Sequence, residues 1–265
     1  MKILNIFSLI IVLNLSPIIS YAGFEILGQM TYLYSAQKGE TYSVAFKVHS
    51  VSEFDQEIRI YQRDFLSKEG NYFYNDPGTH KRSNAPWIQF SPKILILKGK
   101  ETENVQFQVT VPRGDSLVGT FWSMLMLEAI THHDLSAPVR GQLNINTSIR
   151  YAIQIITNIG KSGSGELEFQ KPEVIHEGGK LFFDFILMNK GERYISPDVS
   201  MELFDTTNGS SKKIIKAPKK GVYPTTSNKW HLPLEGIPVG KSYKAVIVAD
   251  GSGEDVFGLE YTIVL

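Results

Sequence analysis

The chain contains no cysteine. That excludes disulfides, thiol catalysis, lipid attachment through cysteine and cysteine-based zinc sites together. It also lacks an excess of either charge, with 27 Lys+Arg against 27 Asp+Glu in 265 residues. Residues 23–160 carry 13 basic and 13 acidic side chains and residues 161–265 carry 13 and 14, so neither half is biased. A general electrostatic attraction to nucleic acid, an anionic membrane surface or an acidic substrate needs a local excess of one sign, and there is none. No segment keeps a 3.6-residue apolar period with helix caps, and after the first residues no apolar run approaches the roughly 20 residues of a membrane span. Gly-x-Ser-x-Gly, a phosphate-cradling Gly-Lys-Ser/Thr loop and His-Glu-x-x-His are all absent, so the sequence reads as non-enzymatic and without a cofactor.

What is present begins with Met1 to Ala22: one lysine at position 2, an apolar run centred on Leu9 to Leu15, Pro17, and small residues Ser20 and Ala22 around Tyr21. That is the pattern of a secretory signal peptide cleaved after Ala22, and it predicts a periplasmic or secreted chain. Asn5, Ser8 and Asn14 interrupt the run, which argues against an uncleaved anchor.

Beyond residue 22 almost every periodic segment has period two. Tyr42, Val44, Phe46 and Val48 alternate with polar or small partners, as do Val105, Phe107, Val109 and Val111, and Leu143, Ile145, Thr147, Ile149, Tyr151 and Ile153. In the second half the same pattern runs through Leu181–Leu187, Val199–Leu203, Tyr243–Ala249 and Phe257–Ile263. These are half-buried strands. Turn clusters such as Asn75-Asp76-Pro77-Gly78 and Asn208-Gly209-Ser210 separate them. The predicted fold class is all-β, as two immunoglobulin-like antiparallel β-sandwiches. The Gly/Ser-rich stretch Gly160 to Gly165 places the boundary between residues 23–160 and 161–265. It could equally be a loop in one large sandwich, and chain length, at about 100–150 residues per domain, is what favours two.

Little here carries chemistry. His132-His133-Asp134 clusters in a polar stretch, but adjacent residues need a third ligand to fold back before they hold a metal. Asp250 to Asp255 offers oxygen ligands without calcium-loop spacing and reads as a hairpin turn. No metal is expected. Tyr72, Phe73 and Tyr74 open the polar, turn-rich segment Gly70 to Pro86, whose tip is expected to be exposed; they are the candidate stacking surface if a sugar is bound. Trp122, inside the apolar run Phe121 to Leu127, is expected to be buried.

Residues Ile88 to Ile155 resemble the first domain of the PapD-like periplasmic pilus chaperones. The resemblance is carried in order by Phe90-Ser91-Pro92-Lys93 with Leu95 and Leu97, by Gly99 to Val105 leading into a strand that ends at Val109 to Pro112, by the hydrophobic strand Phe121 to Glu128, and by Leu143 to Tyr151. It implies a docking protein whose last first-domain strand is offered to a pilin-like subunit or another envelope protein by strand addition. The offered residues would be Leu143, Ile145 and Thr147, with Arg150 gripping the partner's carboxylate. Two departures stand out. The first strand, Ile26 to Tyr34, holds no Arg or Lys to complete the grip, and Gly141 shortens the apolar stretch. Which face of the Leu143 to Tyr151 strand is buried is not fixed by alternation. The second half, with Tyr223-Pro224, Leu232-Pro233-Leu234 and Ile237-Pro238-Val239-Gly240, resembles the immunoglobulin-like domains of surface-anchored bacterial proteins. That implies the alternative of a cell-surface module recognising peptidoglycan, carbohydrate or an anchored partner protein.

Overall fold

The computed structural model describes residues 23–130, 149–251 and 255–265. Among the described residues ten strands build the first sandwich: β1 (Phe24–Leu27), β2 (Thr31–Ala36), β3 (Thr41–Ser50), β4 (Gln56–Lys68), β5 (Asn71–Asn75), β6 (Ile88–Ser91), β7 (Ile94–Leu97), β8 (Thr102–Thr110), β9 (Thr120–Ala129) and β10 (Arg150–Ile159). One sheet has the order β1-β3-β8-β6. The other has the order β2-β10-β9-β4-β5, with β7 on the first part of β4. Seven more strands build the second sandwich: β11 (Leu167–Glu177), β12 (Lys180–Asn189), β13 (Asp198–Asp205), β14 (Ser211–Lys216), β15 (Ser227–Pro233), β16 (Ser242–Asp250) and β17 (Val256–Val264). Its sheets run β11-β12-β15 and β14-β13-β16-β17. The chain is all-β, two antiparallel immunoglobulin-like sandwiches, and no helix among the described residues is long and apolar enough to cross a membrane.

Period two builds both cores. Tyr42, Phe46 and Val48 of β3 meet Val105, Phe107 and Val109 of β8 on one side, and Leu125, Leu127, Ile153 and Ile155 close the core from the other sheet. In the second sandwich Phe183, Phe185 and Leu187 face Met201, Leu203, Tyr243, Ala245 and Ile247 around Trp230. The segment read as one first strand, Ile26 to Tyr34, is two: β1 pairs with β3 in one sheet, and β2 runs parallel to β10 in the other. Gly28, at φ 147°, sits at the switch between sheets, where a side chain would be strained.

Alternation breaks where a sheet is covered twice. From Thr120 to Glu128 every residue of β9 is buried. Phe121, Leu125 and Leu127 fill the first core, while Trp122, Met124 and Met126 face outward into a cluster with Phe65, Ile156 and Tyr223. Tyr223 belongs to the second half of the chain, and its ring stacks on Trp122 at 4.7 Å. Trp122 is therefore buried as expected, but under the second sandwich and outside the first core. Hydrogen bonds close the same contact: Thr120 N–H to the Glu192 carbonyl at 2.8 Å, Tyr194 N–H to Thr120 Oγ1 at 2.8 Å, and Ser67 Oγ to the Ser227 carbonyl at 2.9 Å. The Gly160 to Gly165 stretch is fastened too. Gly160 N–H bonds the Ala36 carbonyl at 2.9 Å, and Ser162 Oγ accepts Gly119 N–H at 3.1 Å.

Candidate functional site

The outward face of the β10-β9-β4 sheet is a ladder of side chains, one from each strand per row. Arg150, Glu128 and Arg59 are cross-strand neighbours in the first row; Ala152, Met126 and Tyr61 form the second, and Gln154, Met124 and Arg63 the third. Past these rows the second sandwich covers the face, so the ladder forms the floor of a cleft of about 900 Å³, walled on the far side by Tyr74 and Asp76.

Glu128 organises the first row. Its carboxylate accepts Arg150 Nε at 2.7 Å, Arg59 Nη2 at 3.0 Å and the Tyr61 hydroxyl at 3.1 Å. Burial works to raise the Glu128 carboxyl, but the bonds from Arg59, Arg150 and Tyr61 outweigh it and hold the group below the ordinary glutamate value of 4.5. The same bond to Glu128 raises Arg150. Burial, and then the bond and charge of Glu128, push the Tyr61 hydroxyl up. The Tyr61 ring lies between two guanidiniums, with Arg59 at 5.2 Å and Arg63 at 5.6 Å, and Arg63 is paired in turn with Asp76.

Arg150 thus lies in the cleft, where an acid on the next strand holds its Nε. Arg59 was missed. Its signal was present only as Glu57-Ile58-Arg59-Ile60 alternation, which names an outward residue without naming its neighbours. Leu143, Ile145 and Thr147 lie outside the described residues, as do His132, His133 and Asp134.

Among the described residues, the strand carrying Arg150 is paired on one side only over its first part. β2 pairs with β10 only from Gln154 to Ile159, and the last bond on that side is Gln154 N–H to the Met30 carbonyl at 2.9 Å. Arg150 to Ile153 pair with β9 alone among the described residues. Met30 and Ile149 are exposed here, 38% and 39%, beside Leu33 on β2 at 53%. Tyr151 and Ile153 turn into the first core, whereas Arg150 and Ala152 face the cleft.

The aromatic triplet occupies β5 at the sheet edge. Tyr72 and Tyr74 are exposed but lean on Phe65, with ring centroids at 5.4 and 5.9 Å, and Phe73 points the other way. The tip of the loop that follows, Asn75 to Thr79, is exposed as expected, while its later part, Ser83 to Ala85, is buried. Asp64 accepts Thr79 N–H at 2.8 Å, His80 N–H at 3.1 Å and Ser83 Oγ at 2.6 Å. Asn84 bonds across to Ile155 O and Thr157, at 3.1 and 3.0 Å. The polar residues that suggested exposure are there to satisfy one another. Burial lowers the pKa of His80, whose ring packs on Trp122 at 4.5 Å.

No family model matches the chain, and no curated protein matches it. Among solved structures it is similar to the class 5 fimbriae chaperone CfaA, at 16% identity over 91% of this chain and 99% of that one, TM-score 0.48. It is similar to the YadV chaperone at 12% identity over 91% and 100%, TM-score 0.46. The Pseudomonas aeruginosa CupB2 chaperone matches at 12% identity over 89% and 98%, TM-score 0.41.

Proposed function

We propose that the protein is an extracytoplasmic docking protein of chaperone type, which adds the leading edge of β10 to an incomplete sheet of a pilin-like subunit or another envelope protein. One observation carries this: among the described residues the first half of β10 is hydrogen-bonded on one side only, beside a cleft lined by β4, β5, β9 and β10. An unpaired strand margin is a template for another chain, supplying main-chain affinity, while alternate side chains supply specificity. In this reading Leu143, Ile145 and Thr147, which share the odd-numbered parity of Tyr151 and Ile153, are the residues offered to the partner. Residues of that series are fit to fill a partner's core. The mature chain begins at Gly23 in this reading, is periplasmic, and is organised as residues 23–160 and 161–265. Catalysis has no part in it. The aromatic platform of the sugar-binding alternative is engaged with Phe65, so the docking reading is the one favoured.

The test is Ile145→Asp in the mature chain. Capture of a pilin-like subunit should be lost, because a charge would enter a desolvated pocket at a cost of several kcal/mol. The denaturation midpoint should stay near that of the parent. A fall in stability like that of Phe46→Asp, a core change, would instead place Ile145 inside this chain's own sandwich and sink the reading.

A further inference from the structure

The turn that joins β13 to β14 holds Asn208-Gly209, and Asn208 is the only asparagine of the sequence that is followed by glycine. Thr206 to Gly209 are exposed, and space is open around Gly209 where a side chain would stand, so water reaches the peptide between the two residues. Gly209 is left-handed, at φ 66°, a conformation that glycine adopts without strain. The Asn208 side chain is curled over the peptide that follows it. Its Oδ1 accepts Ser210 N–H at 3.0 Å and the Ser210 hydroxyl at 2.8 Å. That bonding pattern carries Asn208 Cγ toward the Gly209 nitrogen. Two donors on one amide oxygen also draw electron density from Cγ, and they are placed to hold the oxyanion that forms when a nucleophile adds there. One bond opposes the addition: Gly209 N–H is donated to the Asp205 carbonyl at 2.8 Å and must be released first.

We propose that Asn208-Gly209 is a self-modification site, where the side-chain amide is lost as ammonia and the main chain is rebuilt as isoaspartate, which loosens β14. The Gly209 nitrogen gives its proton to hydroxide and adds to Asn208 Cγ. The bond from Cγ to Nδ2 then breaks, Nδ2 takes a proton from water and leaves as ammonia, and a cyclic imide remains. Water opens that ring in one of two ways. Addition at Cγ yields aspartate, and addition at the main-chain carbonyl carbon of residue 208 yields isoaspartate; neither needs an oxidant or a reductant. The imide nitrogen carries no proton, so the bond to the Asp205 carbonyl is lost at the first step. Isoaspartate then lengthens the main chain by one carbon inside a turn that Asp205 N–H closes on the Ser210 carbonyl at 3.0 Å. Among the described residues β14 pairs with β13 alone, so a second neighbour is not there to hold its register.

The experiment incubates the mature chain at neutral and at mildly alkaline pH, maps its peptides by mass spectrometry and detects isoaspartate with an isoaspartyl methyltransferase. Residue 208 should convert before any other asparagine, with isoaspartate in excess over aspartate and ammonia released in equal amount. Conversion should quicken as pH rises, because the attacking nitrogen must first lose its proton. Ser210→Ala keeps the N–H donor and removes the hydroxyl, so it should slow conversion several-fold, a smaller effect than in a closed active site because the turn lies in water. A peptide spanning Thr206 to Lys212 lacks the folded turn and should convert no faster than the folded chain. Conversion of the peptide without conversion of the folded chain, earlier conversion of another asparagine, or an unchanged rate in Ser210→Ala would each overturn the site. Hydrogen exchange tests the loosened strand. Exchange at Ile214 and Ile215 should quicken in the converted chain and stay at the parent rate in freshly purified Asn208→Asp, which adds the charge without the extra carbon. Equal exchange in the converted and parent chains would overturn the loosening of β14.

Discussion

Both sandwiches set an acid into the outer face of a sheet and give it two basic partners, but the partners differ in kind and in how they are held. In the first, Glu128 holds Arg59 and Arg150, whose planar forks keep donors to spare. In the second, Asp184, with its side chain 1% exposed, holds Lys229 at 2.5 Å and His231 Nδ1 at 2.7 Å. The His231 ring is stacked on Phe182 at 3.9 Å, and its other nitrogen faces Glu177 at 3.8 Å. Every polar atom of that imidazole is therefore turned toward an acid. The difference teaches that a buried acid does not by itself mark a binding site. What matters is whether its partners are exhausted in holding it, as a histidine facing two carboxylates is, or are left with donors aimed at solvent.

The comparison can be broken most easily at Asp184. Asp184→Ala should lower the unfolding free energy by about 3 kcal/mol, since it strands two basic groups around a site built for an anion. Partner capture should not change; urea denaturation paired with a binding assay checks both. If binding fell with stability retained, the second site would be functional and the contrast would be wrong.

Glu128→Gln should show a smaller loss at neutral pH, about 1 kcal/mol, because its arginines are half in water. The loss should also depend on pH. The folded-state pKa of Glu128 lies below its ordinary value, so its contribution is complete above about pH 5 and disappears as pH falls through the depressed pKa. Urea midpoints for parent and variant should therefore converge as pH falls below the ordinary glutamate value of 4.5 and through the depressed pKa. A gap that persists once the carboxyl is protonated would mean the variant suffers from packing, not charge. The smallest effect is expected at Arg63→Gln, within about 0.5 kcal/mol, because Arg63 answers only the exposed Asp76. A large loss there would show that the cation on the far side of Tyr61 also orders the row.

The strands were legible because period two needs only local sequence. Tyr42 to Val48 and Val105 to Val111 could be read as strands of one core without knowing that β3 lies beside β8. The reading weakened where a second surface covers a sheet. Phe121 to Glu128 has no alternation to read, since Trp122, Met124 and Met126 are buried from outside by the second sandwich. It failed for the loop residues Ser83 and Asn84, which look like surface residues until their hydrogen bonds to Asp64 of β4, Ser123 of β9 and Thr157 of β10 are seen. Arg150 could be singled out by its place on a strand, but not its pairing, because Glu128 is 22 residues away and Arg59 is 69 residues from Glu128.

The sequence by itself determined that this chain makes antiparallel sandwiches without disulfides and carries no catalytic motif, because those properties follow from residue types and short-range periodicity. Only the tertiary structure decided that the segment Ile26 to Tyr34 divides between two sheets, that Arg150 to Ile153 of β10 pair on one side only among the described residues, and that Arg59, Glu128 and Arg150 share a row. The physical reason is that strand order and register are fixed by packing and hydrogen bonds between segments far apart in the chain, and a site assembled across three strands exists only once they are aligned.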